Sequence, residues 1–341
     1  MSFSVGIVGL PNVGKSTLFK ALTKKEVAIS PRPFTTINPN IGIVRVPDQR
    51  LTAVAEVIKP QKITPTTIEF VDIAGLIKGA HKGEGLGNQF LSYIRNCDAI
   101  LEVVRIFDNP KVENVLGEIN PEKEVGVVNL ELLMKDLEAL NSLIPKLEKK
   151  EEKKDLKRIE ILKKIKNTVS EGKLISELEL NDKEKKEVKD YQFLTTKPII
   201  YLFNTNYKVS LNSQILHLEL NLKDEQEIAE LSEHEKQELE MDSHLDQIIT
   251  SCYNTLDLIT FFTIKGGKET RAWTVKQNSN IKTAAGVVHS DFEKKFIRAE
   301  VISWQKLVDA NSWAEARSKG WIQTAGKDYI VQDGDVIEFK I

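Results

Sequence analysis

The sequence predicts an α/β protein: a parallel sheet with crossover helices, broken by an inserted helical hairpin and followed by a further domain. Three observations carry that expectation. Short β-branched runs alternate with helical patterning from the start of the chain. A glycine-rich loop lies directly between the first run and the first helix. About ninety residues rich in helix-spaced leucines separate the fourth run from the fifth, far more than an ordinary crossover needs.

The runs from Ser4 to Val8, Ile41 to Val46, Thr67 to Val71, Ile100 to Ile106 and Pro198 to Phe203 each read as buried strands. A helix from Lys15 to Leu22 follows the first. In the long insertion Leu130, Leu133, Leu137, Leu140, Ile144 and Leu147 recur in steps of three and four, a coiled-coil seam. Leu156, Ile159, Leu162, Ile165 and Val169 continue an apolar stripe among lysines and glutamates. Pro145 is expected to kink or split the first helix, with Glu171-Gly172 and Asn181-Asp182 near helix ends. The resulting division is 1–125, a 126–192 helical insert, 193–257 returning to the first domain, and 258–341 as a separate domain.

Composition narrows the function classes. With 341 residues, 41% of them hydrophobic, the chain can bury more than one core, and collagenous or disordered classes are excluded. The net charge of -2 excludes a uniform polycation. That sum hides unlike parts: residues 146–190 hold 15 basic and 12 acidic groups, 219–246 hold 2 and 11, and 258–341 hold 13 and 10. Cys97 and Cys252 cannot form a disulfide framework, which fits a reducing compartment. Neither a signal peptide nor a bilayer-spanning run is evident, so a cytoplasmic protein is expected.

The loop Gly9-Leu10-Pro11-Asn12-Val13-Gly14-Lys15-Ser16-Thr17 matches G-x-x-x-x-G-K-[ST] in the strand-to-helix context that such a loop requires. Its backbone N–H groups would cradle phosphates, Lys15 would reach the β- and γ-phosphates, and the Ser16 hydroxyl would ligate Mg²⁺. Nucleotide contacts are accordingly expected from Asn12, Val13, Gly14, Lys15, Ser16 and Thr17. Phe70-Val71-Asp72 is a strand ending in an acid, so Asp72 would hold the same magnesium, with Gly75 offering its N–H to the γ-phosphate. Between the two motifs, Thr36 in Pro33-Phe34-Thr35-Thr36-Ile37 is a third metal candidate. Five glycines in the thirteen residues from Gly75 to Gly87 suit a loop ordered by the γ-phosphate, or a plain surface loop.

Together these motifs resemble the Obg-related translation-factor NTPases. The stretch from Lys82 to Phe90 narrows the resemblance to the YchF branch, the Obg-like ATPases. Arg271-Ala272-Trp273, the block from Ala285 to Phe292, Phe296 to Ala299, and Gly326 to Val331 followed by Asp333 to Val336 resemble that branch's TGS domain, a ubiquitin-like β-grasp. The resemblance implies a G domain, a helical insert and a TGS domain, with ATPase activity and ribosome binding.

Three departures matter. Guanine readers carry Asn-Lys-x-Asp after the fifth strand and the YchF branch Asn-x-x-Glu, whereas this chain has Asn204-Thr205-Asn206-Tyr207. Asn204, Thr205 and Asn206 remain base-side candidates. The fourth position lacks the acid that accepts guanine's donors, so ATP is expected over GTP; Tyr207 stacks on the base or faces solvent. Leu76 stands where Ras-like proteins place a water-orienting glutamine. The position matching the family's later histidine is Asn114, whose amide can hold a water but cannot take its proton. His81 is the nearest histidine substitute, although an exposed loop histidine has a bland surface reading too. Lys15, His81 and Asn114 are thus the catalytic candidates, with weak basal turnover expected, and Asn12 could hold a K⁺ ion.

The expected partners are ATP (with GTP as the alternative) and the ribosome with its RNA, bound through the lysine-rich hairpin and the C-terminal domain. A solvated charged helix pair is the alternative reading of the hairpin. No membrane association and no DNA specificity are expected, and the chain should be a monomer. The rival functions are a nucleotide-binding module with little hydrolysis and an Obg-type GTPase.

Overall fold

The structure, a computed structural model, describes residues 3–24, 39–73, 87–149, 153–206, 215–264 and 267–341. The chain opens with β1 (Ser4–Val8), α1 (Lys15–Lys24), β2 (Asn40–Arg45), α2 (Gln49–Ile58), β3 (Lys62–Thr64) and β4 (Thr67–Asp72). Then come α3 (Gly87–Asn96), β5 (Ala99–Arg105), α4 (Pro121–Glu148), α5 (Lys153–Ser170), α6 (Asp182–Val188), β6 (Ile199–Asn204) and β7 (His217–Leu220). Next are α7 (Leu222–Ile228), α8 (Glu233–Glu238), α9 (Leu245–Thr255), β8 (Leu258–Ile264), β9 (Glu269–Lys276) and α10 (Ile281–Val288). The chain closes with α11 (Ser290–Lys294), β10 (Arg298–Ser303), α12 (Trp304–Ala310), α13 (Trp313–Ser318), β11 (Gln323–Ala325) and β12 (Asp335–Lys340).

Two compact units result, one of residues 3–43 and 69–245, the other of 1–2, 44–68 and 246–341. In the first, the strand order is β2-β4-β1-β5-β6-β7. β1 pairs in parallel with β4 and β5, and β6 with β5 and β7. Strands buried on both faces need continuous apolar runs, and β5 is buried at all seven positions. The five expected strands lie within one residue of their expected starts and ends.

The helical insert packs Leu133, Leu140, Ile144 and Leu147 of α4 against Ile159, Leu162, Ile165 and Val169 of α5. Asn120 caps α4 by accepting from the Lys123 N–H, with Pro121 in the first turn, where its missing N–H costs nothing. Three sequence expectations need correction here. Pro145 does not split the helix: α4 runs on to Glu148, and the Lys149 N–H closes the last turn onto the Pro145 carbonyl at 3.2 Å. So close to the helix end, proline forfeits one bond, and Ile144 and Leu147 stay in the core on either side. Leu130 and Leu156 leave the seam and are 55% and 60% exposed, outside the cluster that joins the two helices.

In the second unit the order is β11-β10-β12-β8-β9-β3. β12 and β8 are parallel, β8 and β9 antiparallel, and β3 joins β9 in parallel. Adjacent residues of β8 serve opposite faces, as a period of two requires. Phe261 lies with Ile281, Ala284 and Val301, whereas Phe262 lies with Leu51, Val54, Leu307 and Val336. The expected domain division gave residues 44–68 and 246–257 to the first domain. Contacts place them here instead, because β3 extends this sheet and α2 buries Leu51 and Val54 in its core. No helix among the described residues is long and apolar enough to cross a membrane.

Candidate nucleotide site

β1 sits between β4 and β5 and ends at Val8, so the chain must leave the sheet through a tight loop. Two glycines are required there. Gly9 has φ +143°, and a Cβ on it would stand 2.4 Å from the Val103 carbonyl oxygen. Gly14 has φ +111°, and a Cβ would meet Asn204 Nδ2 at 2.5 Å. Asn12 also takes a left-handed conformation, which asparagine tolerates. Lys15 then opens α1.

Lys15 is buried, and its Nζ donates to the Leu10 carbonyl at 2.7 Å, a satisfied position within its own loop. Burial lowers its pKa to about 8, against the raising influence of Asp72 and Glu124. Ser16 Oγ donates to Asp72 Oδ2 at 3.5 Å, so the two expected metal ligands face each other. Burial raises the Asp72 pKa, with Lys15 and Ser16 opposing. The chain's residues fit the magnesium that the loop implies, because a hydroxyl and a partly buried carboxylate are both hard oxygen donors. The lack of a three-residue His/Cys/Asp/Glu cluster among the described residues does not conflict, since Mg²⁺ takes one or two protein oxygens and completes its shell with phosphate and water.

A cavity of about 610 Å³ opens above this loop, within the range usual for small-ligand sites. Asn12, Gly14, Lys15, Ser16 and Thr17 line it. Asn204, Thr205 and Asn206 line it too, so the structure brings the loop and base-side candidates into one site. Asn204 joins them physically: its Nδ2 donates to the Val13 carbonyl at 2.8 Å, and its Oδ1 accepts from the Leu222 N–H at 3.1 Å.

A third wall, Phe107, Asp108, Asn109 and Val112, is held by a residue that sequence reasoning missed. Arg105, 4% exposed at the end of β5, donates to the carbonyls of Phe107 (3.1 Å), Glu113 (3.0 Å), Val112 (3.1 Å) and Asn109 (3.4 Å). Its guanidinium lies 4.4 Å from the Phe107 ring centroid. Asn12 Nδ2 donates to the same Glu113 carbonyl at 3.3 Å, tying this wall to the phosphate loop. Asn221, Lys223, Asp224 and Gln226 line the cavity too and were also missed. The alternating His217-Leu218-Glu219-Leu220 run before a capping Asn221 was their available signal.

Two neighbouring acids are buried in this unit. Glu124, in the first turn of α4, accepts from the Arg105 N–H at 3.2 Å, and burial raises its pKa to about 7. Glu102 of β5 is fully buried, and neither carboxylate oxygen has a hydrogen-bond partner among the described residues.

Asn114 does not line the cavity. Its Nδ2 donates to the Glu118 carbonyl at 2.8 Å and its Oδ1 accepts from the Leu116 N–H at 2.9 Å, so both ends of the amide hold its own turn. Thr36, Gly75, Leu76, His81 and Tyr207 lie outside the described residues.

Comparison with known proteins decides the family. A protein of Pasteurella multocida named "Ribosome-binding ATPase YchF" is 44% identical to this chain over 361 residues, covering 100% of it and 99% of its own length. The chain belongs to the YchF family. A YchF relative from Bacillus subtilis carries the same name at 42% identity, with 100% and 99% covered. A YchF C-terminal family model, described as "Protein of unknown function (DUF933)", matches residues 258–341, and one described as "50S ribosome-binding GTPase" matches residues 4–164. The solved "Structure of the Schizosaccharomyces pombe YchF GTPase" superposes with a TM-score of 0.86 at 33% identity, covering 99% of this chain and 98% of that one. The YchF resemblance read from the motifs is borne out, and so is the α/β class with its P-loop domain.

Proposed function

We propose that this chain is a Mg²⁺-dependent nucleoside triphosphatase that prefers ATP and acts as a nucleotide switch on the ribosome. The observation that carries this is Lys15 beside the facing Ser16–Asp72 pair, at a cavity that Lys15 and Ser16 line together with Asn204, Thr205 and Asn206. Ser16 and Asp72 would hold Mg²⁺, which would supply charge neutralisation to the phosphates. Relatives support ribosome binding by name, but their names divide between ATPase and GTPase. The preference for ATP therefore rests on this chain's own residues, above all the missing acid at Tyr207.

The same reading assigns 1–125 and 193–257, less the segments 44–68 and 246–257 that pack on the second sheet, to the nucleotide domain, 126–192 to a helical insert and 258–341 to a TGS domain, in a cytoplasmic monomer. Thr36 joins Ser16 and Asp72 at the metal, Gly75 meets the γ-phosphate, and His81 is the candidate for the attacking water. A K⁺ ion at Asn12 belongs to the same proposal. One observation favours a second reading, a binding module with little hydrolysis: the Asn114 amide is spent within its own turn. Hydrolysis of ATP and GTP measured with and without ribosomes tests both. Ribosome-stimulated ATP turnover supports the switch, whereas tight binding without turnover supports the module.

A further inference from the structure

The cavity lining holds a carboxylate at a place the sequence motif does not point to. Asp224 lines the cavity together with Asn221. Asn221 Nδ2 donates to Asp224 Oδ2 at 2.7 Å. Asn221 Oδ1 accepts from the backbone N–H groups of Lys223 (3.1 Å) and Asp224 (3.4 Å). Those partners fix which end of the amide is which, since two N–H donors face the oxygen and a carboxylate faces the nitrogen. The pair is also tied to the phosphate loop, because the adjoining Leu222 N–H is bound by Asn204, which is itself bound to Val13.

An amide nitrogen carries two hydrogens and a carboxylate two oxygens. After their mutual bond, Asn221 retains one N–H and Asp224 one oxygen, Oδ1, as neighbouring donor and acceptor. The adenine edge offers the complement, an N6 amino donor beside the N1 acceptor. Guanine offers O6, N1–H and a further N2 amino group. In the same pose guanine would set its O6 acceptor against Asp224 Oδ1, two acceptors facing one another, and that mismatch costs affinity.

We propose that Asp224, oriented by Asn221, is a specificity-determining residue that accepts a hydrogen bond from the adenine N6 amino group. The assignment rests on the nucleotide reading above, and it places the base-reading acid at 224, where position 207 has none.

The test is a Mg²⁺-nucleotide titration of the full chain and of Asp224→Ala and Asp224→Asn. The probes are ATP, GTP and purine riboside triphosphate, which is ATP without the N6 amino group. The unmodified chain is expected to bind purine riboside triphosphate about tenfold more weakly than ATP. Asp224→Ala should lose about tenfold for ATP and nothing for purine riboside triphosphate, drawing the ATP and GTP affinities together. Asp224→Asn keeps an acceptor and should recover part of the ATP affinity. Equal losses for ATP and purine riboside triphosphate in Asp224→Ala, or no loss for either, would overturn this assignment alone. Failure of the unmodified chain to bind any of the three would overturn the nucleotide reading and this assignment with it.

Discussion

The side-chain amide of Asn204 donates to the carbonyl of Val13 at 2.8 Å, from the end of β6 to the loop between β1 and α1. Its oxygen holds the start of α7 through the Leu222 N–H. One buried residue thus spaces the phosphate loop from both base-side segments. Conformation and contacts around it set the first prediction.

Gly14→Ala places a methyl carbon 2.5 Å from Asn204 Nδ2 at a φ of +111°. Backbone strain of this kind costs about 1–3 kcal/mol, and relief requires the Asn204–Val13 bond to break. Nucleotide titration of Gly14→Ala is expected to show a loss of at least about a hundredfold, with a lowered melting temperature.

The pKa of Lys15, about 8 in the free protein, gives binding a pH dependence. A phosphate beside the ammonium favours its charged form, so the bound value lies higher. Above pH about 8 the free lysine is neutral and must take up a proton on binding. Affinity is therefore expected to be greatest below that pH and to weaken above it. Calorimetry in buffers of different ionisation enthalpy should find proton uptake growing above pH 8, and a Lys15→Met variant should show neither the affinity nor the uptake.

Arg105→Lys replaces a planar fork reaching four carbonyls with a single ammonium of three hydrogens. The wall of Phe107, Asp108, Asn109 and Val112 would lose its common anchor. About tenfold weaker nucleotide binding is expected, with a helical circular-dichroism signal equal to that of the unmodified chain.

Burial, reinforced by neighbouring Glu124, holds the Glu102 carboxyl well above the usual carboxylate range. Between the ordinary value and that raised one, the folded chain keeps a proton that the unfolded chain has lost. Stability consequently falls as pH rises through this window. Glu102→Gln has no such proton, so denaturant unfolding from about pH 5 to about pH 8 should show a smaller loss of stability in the variant.

The parts of the site that were legible in the sequence are those whose chemistry is local. Gly9 to Thr17 and Asp72 are set by short-range requirements, a turn that glycine alone permits and an acid at a strand end. The residues missed act at long range. Arg105 is one of seven buried positions on β5 and carries no local signature, because its partners are backbone carbonyls whose identity the side-chain sequence does not encode. Asp224 enters the cavity only because β7 pairs with β6 and the following turn is drawn in by Asn204. The same limit explains the fold. Leucine spacing announced the α4–α5 core, but the membership of residues 44–68 in the second unit depends on β3 finding β9, some two hundred residues away.

At 1.5 Å per residue, the 28 residues of α4 span about 42 Å. Its first turn is fastened to the nucleotide side of the molecule by Glu124, which binds the same Arg105 that organises the cavity wall. Pro145 leaves the rod unbroken to Glu148. Geometry then supplies leverage: a tilt of about 10° at the anchored end displaces the far tip by roughly 7 Å over that length. A rotation that small at the anchored end would thus carry the tip through the length of a side chain, and α5, packed along α4, would travel with it.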